Sequence, residues 1–167
     1  LKALQALAAY NRSISTLKVI GITGSNGKTI VKEWLYQLLA ADFHIVRSPK
    51  SFNSQIGVPL SVWQITPAHN LGIFEAGISK PSEMEALANI IKPTIGILTN
   101  IGEAHAEGFE DKTQKLKEKL KLFKDAELLI YCPDYATEIA AADLPGKTKF
   151  TWSTTQNADL KITFIEP

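Results

Sequence analysis

Apolar residues along the chain follow two patterns, short β-branched runs and longer segments with helical spacing. The short runs lie at residues 19–23, 71–75, 95–99 and 128–131. The helical segments lie at residues 1–10, 29–39, 81–91, 112–123 and 135–142. Because the short runs are continuously apolar, they are typical of strands buried on both faces. Strands that alternate with helices predict an α/β fold, with a mostly parallel sheet wrapped by helices.

Two further runs, at residues 149–152 and 160–164, predict additional strands at an edge of this sheet. Pro81 precedes Glu83 and Glu85, so we expect a helix to begin near Pro81. Ligands of parallel α/β sheets bind beyond the carboxyl ends of the strands. The residues that follow the predicted strands are therefore the first candidates for chemistry.

A glycine-rich loop, GSNGKT at residues 24–29, joins the first predicted strand to the first long helix. Glycines let the backbone bring N–H groups close to a polyphosphate, and the start of a helix favours negative charge. Lys28 is placed to reach the outer phosphates, and the Thr29 hydroxyl is placed to ligate Mg²⁺. The loop departs from the strict P-loop pattern at Ile22, where that pattern has glycine. The alternative interpretation is a glycine-rich turn with a surface lysine.

Three polar residues follow two other predicted strands and should lie at the same edge of the sheet as this loop. They are Glu75, Asn100 and His105. A carboxylate at this edge is a natural ligand for Mg²⁺ that bridges ATP phosphates. The alternative interpretations are that Glu75 is a solvated loop carboxylate and that Asn100 caps a turn. His105 alone is a weak indication, since Mg²⁺ prefers oxygen ligands.

Lys119 lies on the apolar side of the predicted helix 112–123, on the same face as Leu116, Leu120 and Phe123. A lysine on a core-facing arc either extends its ammonium group to water or serves a specific purpose. The residues alone leave both interpretations open.

Composition sets limits on the class of protein. A chain of 167 residues that is 45% hydrophobic and 21% charged is typical of one globular domain. A net charge of +1 gives no reason to expect nucleic acid or an anionic membrane as a partner. No apolar run approaches the roughly 20 residues that span a bilayer. The single cysteine, Cys132, excludes a disulfide within the chain and favours the cytoplasm.

Four ordered motifs resemble the Mur ligases, cytoplasmic enzymes that build the stem peptide of peptidoglycan. The motifs are TGSNGKT at 23–29, FNSQIGVPL at 52–60, FEAG at 74–77 and TNIGEAHAEGF at 99–109. Members of this family typically lack the glycine that the strict P-loop pattern has at the position of Ile22. The pair Ala104 and His105 is similar to the branch that joins D-alanyl-D-alanine to UDP-N-acetylmuramoyl-tripeptide, whereas sister ligases have Asp-His. Residues 51–63 are similar to versions of that ligase fused to an alanine racemase, and Ala76 departs from the branch's usual methionine.

The resemblance implies amide-bond formation driven by ATP through an acyl phosphate, with two Mg²⁺ ions. It implies ATP binding by Thr23, Gly24, Ser25, Asn26, Gly27, Lys28, Thr29 and Asn100. It implies metal binding by Thr29, Glu75 and His105. It implies catalytic roles for Lys28, His105 and Lys119, the last as the lysine that these enzymes carbamylate. Asn53 matches a position beside the substrate pocket.

The resemblance also implies that residues 1–167 are one ATP-binding domain, a fragment of a longer ligase. The family's N-terminal UDP-sugar domain and its C-terminal domain would be covalently linked to it. The expected partners are small molecules, UDP-N-acetylmuramoyl-tripeptide and D-alanyl-D-alanine, and neither nucleic acid nor a membrane. A related ligase stays open, either another Mur ligase or a folylpolyglutamate or cyanophycin synthetase. Two other classes of protein also stay open, a P-loop NTPase or kinase and a nucleotide-binding module without activity.

Overall fold

The computed structural model describes residues 1–102, 108–134 and 147–163. Its strands are β1 (Lys18–Thr23), β2 (Ile45–Arg47), β3 (Leu71–Glu75), β4 (Ile95–Leu98), β5 (Leu128–Tyr131), β6 (Thr148–Ser153) and β7 (Leu160–Lys161). Its helices are α1 (Lys2–Ser13), α2 (Lys28–Leu39), α3 (Gly57–Val62), α4 (Met84–Ile91) and α5 (Lys112–Leu120), which continues into a 3₁₀ turn at Lys121–Phe123.

The strands form one sheet in the order β2-β3-β1-β4-β5-β6-β7. Every neighbouring pair is parallel, which confirms the predicted α/β fold. β1 lies between β3 and β4, and Ile22 is in register with Glu75 on one side and with Ile97 on the other. The end of β3 therefore lies directly beside the end of β1, where the glycine-rich loop begins.

Helices cover both faces of the sheet, and the two sides of β1 belong to different cores. Val19 packs into the larger core, together with residues from α1, α3, α4 and α5. Ile20 and Ile22 belong to a smaller core that α2 covers with Val31, Leu35 and Leu39. Because successive strand residues point to opposite faces, a strand between two cores must be apolar at nearly every position. Glu75, in register with Ile22, lies on the α2 side.

The structure contains two elements that were not predicted, β2 and α3. They have three and six residues, which is too short for an apolar period to be recognised. Helix α4 begins at Met84 rather than near Pro81. Ser82 has a left-handed φ of 68°, and the Glu83 carboxylate accepts a 2.7 Å hydrogen bond from the Ser79 N–H. These contacts form a turn that precedes the helix.

The carboxyl-terminal part of the chain is described only in segments. β7 is shorter than the predicted strand at 160–164, and the predicted helix at 135–142 lies outside the described residues. Within the described ranges, no helix combines the length and apolar character that crossing a membrane requires.

Candidate functional site

The glycine-rich loop has a backbone that only glycine adopts easily at two of its positions. Gly24 has φ 150° and Gly27 has φ 81°, and Gly27 is the residue from which α2 begins. A Cβ on Gly24 would lie 1.9 Å from the Thr99 Oγ1 and 3.0 Å from the Asn100 carbonyl oxygen. The loop therefore packs directly against the segment that follows β4, with no room for a side chain between them.

Hydrogen bonds fasten this loop to the end of β4. The Ser25 N–H donates to the Asn100 carbonyl oxygen at 2.9 Å, and the Asn26 N–H donates to the Asn100 Oδ1 at 2.9 Å. The Gly102 N–H donates to the Ser25 Oγ at 2.9 Å, and the Thr99 hydroxyl donates to the Asn26 carbonyl at 2.6 Å. Asn100 thus lies at the loop as predicted, and it orients the loop backbone.

Two lysines meet at the first glycine of the loop. The Lys28 Nζ donates to the carbonyl oxygens of Gly24 at 2.8 Å and Ser25 at 3.2 Å. The Lys119 Nζ reaches the same Gly24 oxygen from α5 at 3.2 Å. Lys119 is only 1% exposed, so its side chain points inward. Two ammonium groups beside the start of α2 concentrate positive charge where an anion would be stabilised.

A hydroxyl and a carboxylate face each other at the first turn of α2. The Thr29 hydroxyl donates to the Glu75 Oε2 at 3.0 Å and lies 3.3 Å from its Oε1. Ser51 adds a second hydroxyl, 3.2 Å from the Thr29 Oγ1. Oxygen ligands of this kind suit a hard cation such as Mg²⁺. The predicted pair of Thr29 and Glu75 is therefore brought together.

Lys32 belongs to this site, although we did not predict it from the sequence. It is fully buried, and its Nζ lies 3.3 Å from the Glu75 Oε1. The signal that could have revealed it is the helix period, because Lys32, Leu35 and Leu39 share the core-facing side of α2. Lys119 was recognised on α5 by the same spacing.

A cleft of about 470 Å³ adjoins the loop, within the usual size range of ligand pockets. Lys28, Lys119 and Asn53 are among its lining residues. The Gly77 N–H donates to the Asn53 carbonyl at 2.8 Å, and a Cβ on Gly77 would lie 2.9 Å from the Asn53 Oδ1. Asn53 is therefore held against the end of β3, on the wall of this cleft.

His105 lies outside the described residues, so its predicted metal role stays a prediction. Among the residues that the structure describes, no group of three or more His, Cys, Asp or Glu side chains could form a metal cage. Thr29 and Glu75 alone offer two oxygen ligands, one neutral and one charged. This arrangement fits a cation that takes its other ligands from phosphates and water, as Mg²⁺ does at nucleotide sites.

Comparison with known proteins supports a single family. The family described as the Mur ligase middle domain matches residues 22–167. A UDP-N-acetylmuramoyl-tripeptide–D-alanyl-D-alanine ligase of Borreliella burgdorferi is 37% identical over 139 residues, which are 79% of this chain and 30% of the relative. The ligase of the same name from Bacillus subtilis is 34% identical over 138 residues, 80% of this chain and 30% of the relative.

A solved structure shares the fold and part of the sequence. The MurF ligase of Thermotoga maritima, in complex with ADP, superimposes with a TM-score of 0.82 and is 25% identical. The match covers 93% of this chain and 37% of that one. The chain thus spans about a third of the length of the relatives it matches.

Proposed function

The chain belongs to the Mur ligase middle domain family, and from this premise we propose that it is the ATP-binding and Mg²⁺-binding domain of a peptidoglycan precursor ligase. The ligase would join D-alanyl-D-alanine to UDP-N-acetylmuramoyl-tripeptide, the activity that the names of the Borreliella burgdorferi and Bacillus subtilis relatives state. The observation that carries this proposal is the convergence of Lys28, Lys119, Thr29 and Glu75 on one glycine-rich loop.

ATP would bind with its β- and γ-phosphates against the loop at residues 24–29 and the start of α2. The first N–H groups of a helix have no partner within the helix, so the first turn of α2 offers donors to phosphate oxygens. Lys28 now holds two loop carbonyls and would turn its ammonium group to the phosphates. Thr23 ends β1, and its hydroxyl donates to the Ala76 carbonyl at 2.8 Å, which fixes the origin of the loop. The ADP present in the Thermotoga maritima relative supports a nucleotide as the ligand.

Thr29 and Glu75 would hold the first Mg²⁺, and His105 would help to hold a second. A metal ion in this place supplies charge neutralisation for the transferring phosphoryl group. The protein's own contribution is to keep the Glu75 carboxylate and the Thr29 hydroxyl next to the phosphate loop.

The reaction would proceed in two displacements. A carboxylate oxygen of the tripeptide attacks the γ-phosphorus of ATP, the bond to the β-phosphate oxygen breaks, and acyl phosphate and ADP form. The amine of D-alanyl-D-alanine then attacks the acyl carbon, loses a proton and expels inorganic phosphate. The positively charged Lys28 would stabilise the phosphoryl oxygens during transfer, and the cleft beside Asn53 and Gly77 would position the acceptor carboxylate. No serine or cysteine nucleophile is needed.

Lys119 would act as a carbamate. Its neutral amine would attack CO₂, forming an N–C bond and releasing a proton, so that a cationic side chain becomes an anionic metal ligand. Burial favours the neutral amine that reacts, and Lys119 is 1% exposed beside the phosphate loop. We expect ¹³C-labelled bicarbonate to give a carbamate resonance in the NMR spectrum of the chain. Lys119→Arg should remove that resonance, and a spectrum identical in both proteins would exclude Lys119 as its source.

If the chain is part of this ligase, product formation should require both peptide substrates and a protein of the relatives' full length. A protein that contains this chain and has the length of its relatives should form amide product and ADP in equal amounts from ATP, UDP-N-acetylmuramoyl-tripeptide and D-alanyl-D-alanine. The 167-residue chain alone should give no product, because the remaining two thirds of the relatives' length would supply the other binding surfaces. Product with a different amine or acceptor would assign the chain to a related ligase. ATP hydrolysis without any acceptor would indicate an NTPase instead.

A further inference from the structure

Lys32 is a buried cation that the proposed reaction leaves without a role. Its side chain has no solvent exposure, and it lies one helical turn beyond the phosphate-loop lysine. Burying an ammonium group is costly unless charged and polar partners replace the lost water. The Nζ of Lys32 has four such partners, the carbonyl oxygens of Ser48 and Lys50 and the carboxylates of Glu33 and Glu75.

The two carboxylate oxygens of Glu75 have different nearest partners. Lys32 lies 3.3 Å from Oε1, while Oε2 accepts the 3.0 Å hydrogen bond from Thr29. The backbone of Glu75 is held as well, since its N–H donates to the buried Ser48 hydroxyl at 3.2 Å. Oε1 is thereby held by the ammonium group, and Oε2 is the oxygen nearer to the Thr29 hydroxyl, which lies 3.3 Å from Oε1.

Lys32 also fixes the turn that follows β2. The Nζ donates to the Ser48 carbonyl at 2.8 Å and to the Lys50 carbonyl. Lys50 has a left-handed φ of 47°, a conformation that a residue with a side chain keeps only when its surroundings hold it. The next residue, Ser51, brings its hydroxyl to 3.2 Å from the Thr29 Oγ1. The Lys32 ammonium group therefore holds both groups that contact the Thr29 hydroxyl. It contacts the Glu75 carboxylate directly, and it holds Ser51 through the carbonyl of the preceding residue.

We propose that Lys32 is a positioning residue for the nucleotide-bound Mg²⁺, holding the Glu75 carboxylate and the turn at residues 48–51 so that Oε2 of Glu75 and the hydroxyl of Thr29 face the metal. Lys32 itself touches neither metal nor phosphate. Groups that orient a metal ligand typically change metal affinity by about 10- to 100-fold when they are removed. This inference rests on the proposed nucleotide function of the site.

The test separates metal-dependent from metal-independent binding. ADP is titrated calorimetrically into the chain, once with Mg²⁺ and once with EDTA, for the wild type, Lys32→Met and Lys32→Gln. We expect both variants to bind Mg²⁺–ADP about 10- to 100-fold more weakly, with the affinity for metal-free ADP unchanged. A purely structural lysine would lower both affinities together or neither, and either result overturns the proposal.

Arg12 provides a matched control. It is also a buried cation that holds backbone carbonyls, with its guanidinium donating to Ile91 at 2.9 Å and to Lys92 at 3.0 Å. These carbonyls lie at the end of α4, away from the phosphate loop. Arg12→Met should lower the midpoint of thermal unfolding and leave the ratio of the two ADP affinities at its wild-type value.

Two further outcomes keep the inference distinct from the proposed function. If the wild type binds ADP under neither condition, the titration is repeated with a protein of the relatives' length. Absence of ADP binding there means that the nucleotide function itself fails, whatever the variants do. If neither Lys32 variant folds, a crystal structure of the wild-type chain with Mg²⁺ and ADP decides. We expect Glu75 to reach the metal through Oε2 while Lys32 keeps its contact with Oε1. A metal bound through Oε1, with Lys32 displaced, contradicts the proposal.

Discussion

Replacing Lys28 by alanine should weaken the binding of a non-hydrolysable ATP analogue with Mg²⁺ by about 100-fold, equivalent to about 2.7 kcal/mol. Charge-assisted hydrogen bonds contribute about 1.5–3 kcal/mol each, and in the proposed site Lys28 would make them to the outer phosphates. The loss is smaller than two such bonds because Lys28 gives up its contacts with the Gly24 and Ser25 carbonyls when it turns to the nucleotide.

Calorimetric titration of the analogue measures this difference directly. The matched control is Lys117→Ala, which removes an exposed lysine from α5 and should leave the affinity unchanged. Equal weakening by both substitutions would mean that net charge, rather than the loop, attracts the nucleotide. If the wild-type chain itself does not bind, the titration is repeated with a protein of the relatives' length. Binding there would show that the remaining length supplies affinity, and no binding there would refute the phosphate loop.

Replacing Glu75 by leucine should lower the free energy of unfolding by about 3–5 kcal/mol, the usual cost of removing one partner of a buried ion pair. Glu75 and Lys32 both have fully buried side chains, with 3.3 Å between the Nζ and the Oε1. The loss is a large share of the roughly 5–15 kcal/mol by which domains are stable. Urea denaturation measures it, with the slope of the transition checking that the unfolded state is unchanged.

Glu33 is the control for burial, because its Oε1 lies 3.2 Å from the same Lys32 ammonium group while its side chain is 36% exposed. Glu33→Leu should cost less than about 1 kcal/mol, as exposed pairs do. An equal decrease in the free energy of unfolding for Glu33→Leu and Glu75→Leu would show that burial does not determine how much each ion pair contributes to stability. The double variant Lys32→Met/Glu75→Leu should lose less than the sum of its single variants, by about 1–3 kcal/mol. Strict additivity would mean that the two charges do not interact.

Local sequence patterns predicted most of the elements and much of the candidate site. The runs that became β1, β3, β4 and β5 are apolar at most positions, and this reflects burial between two helical layers. Thr29 and Glu75 could be placed together because carboxyl ends of parallel strands share one edge. Lys119 could be placed inward because helical spacing puts it beside core residues.

Other features could not be read from local patterns. β2 and α3 are short, and their positions depend on what packs against them. Lys32 carries a signal in its helical spacing, but three of its four partners lie 16 to 43 residues away in the chain. Ser48 and Glu75, which share its ammonium group, are neighbours because β2 pairs with β3 in the sheet.

By itself, the sequence determined most of the strands and helices, where the glycine-rich loop lies and which family the chain resembles, because these depend on neighbours along the chain. The tertiary structure alone decided the strand order, the attachment of the loop to Asn100 and the joining of Lys32 to Glu75. Each of these depends on residues that are distant in sequence. Their contacts form only when β1 is inserted between β3 and β4, which brings the ends of three strands together.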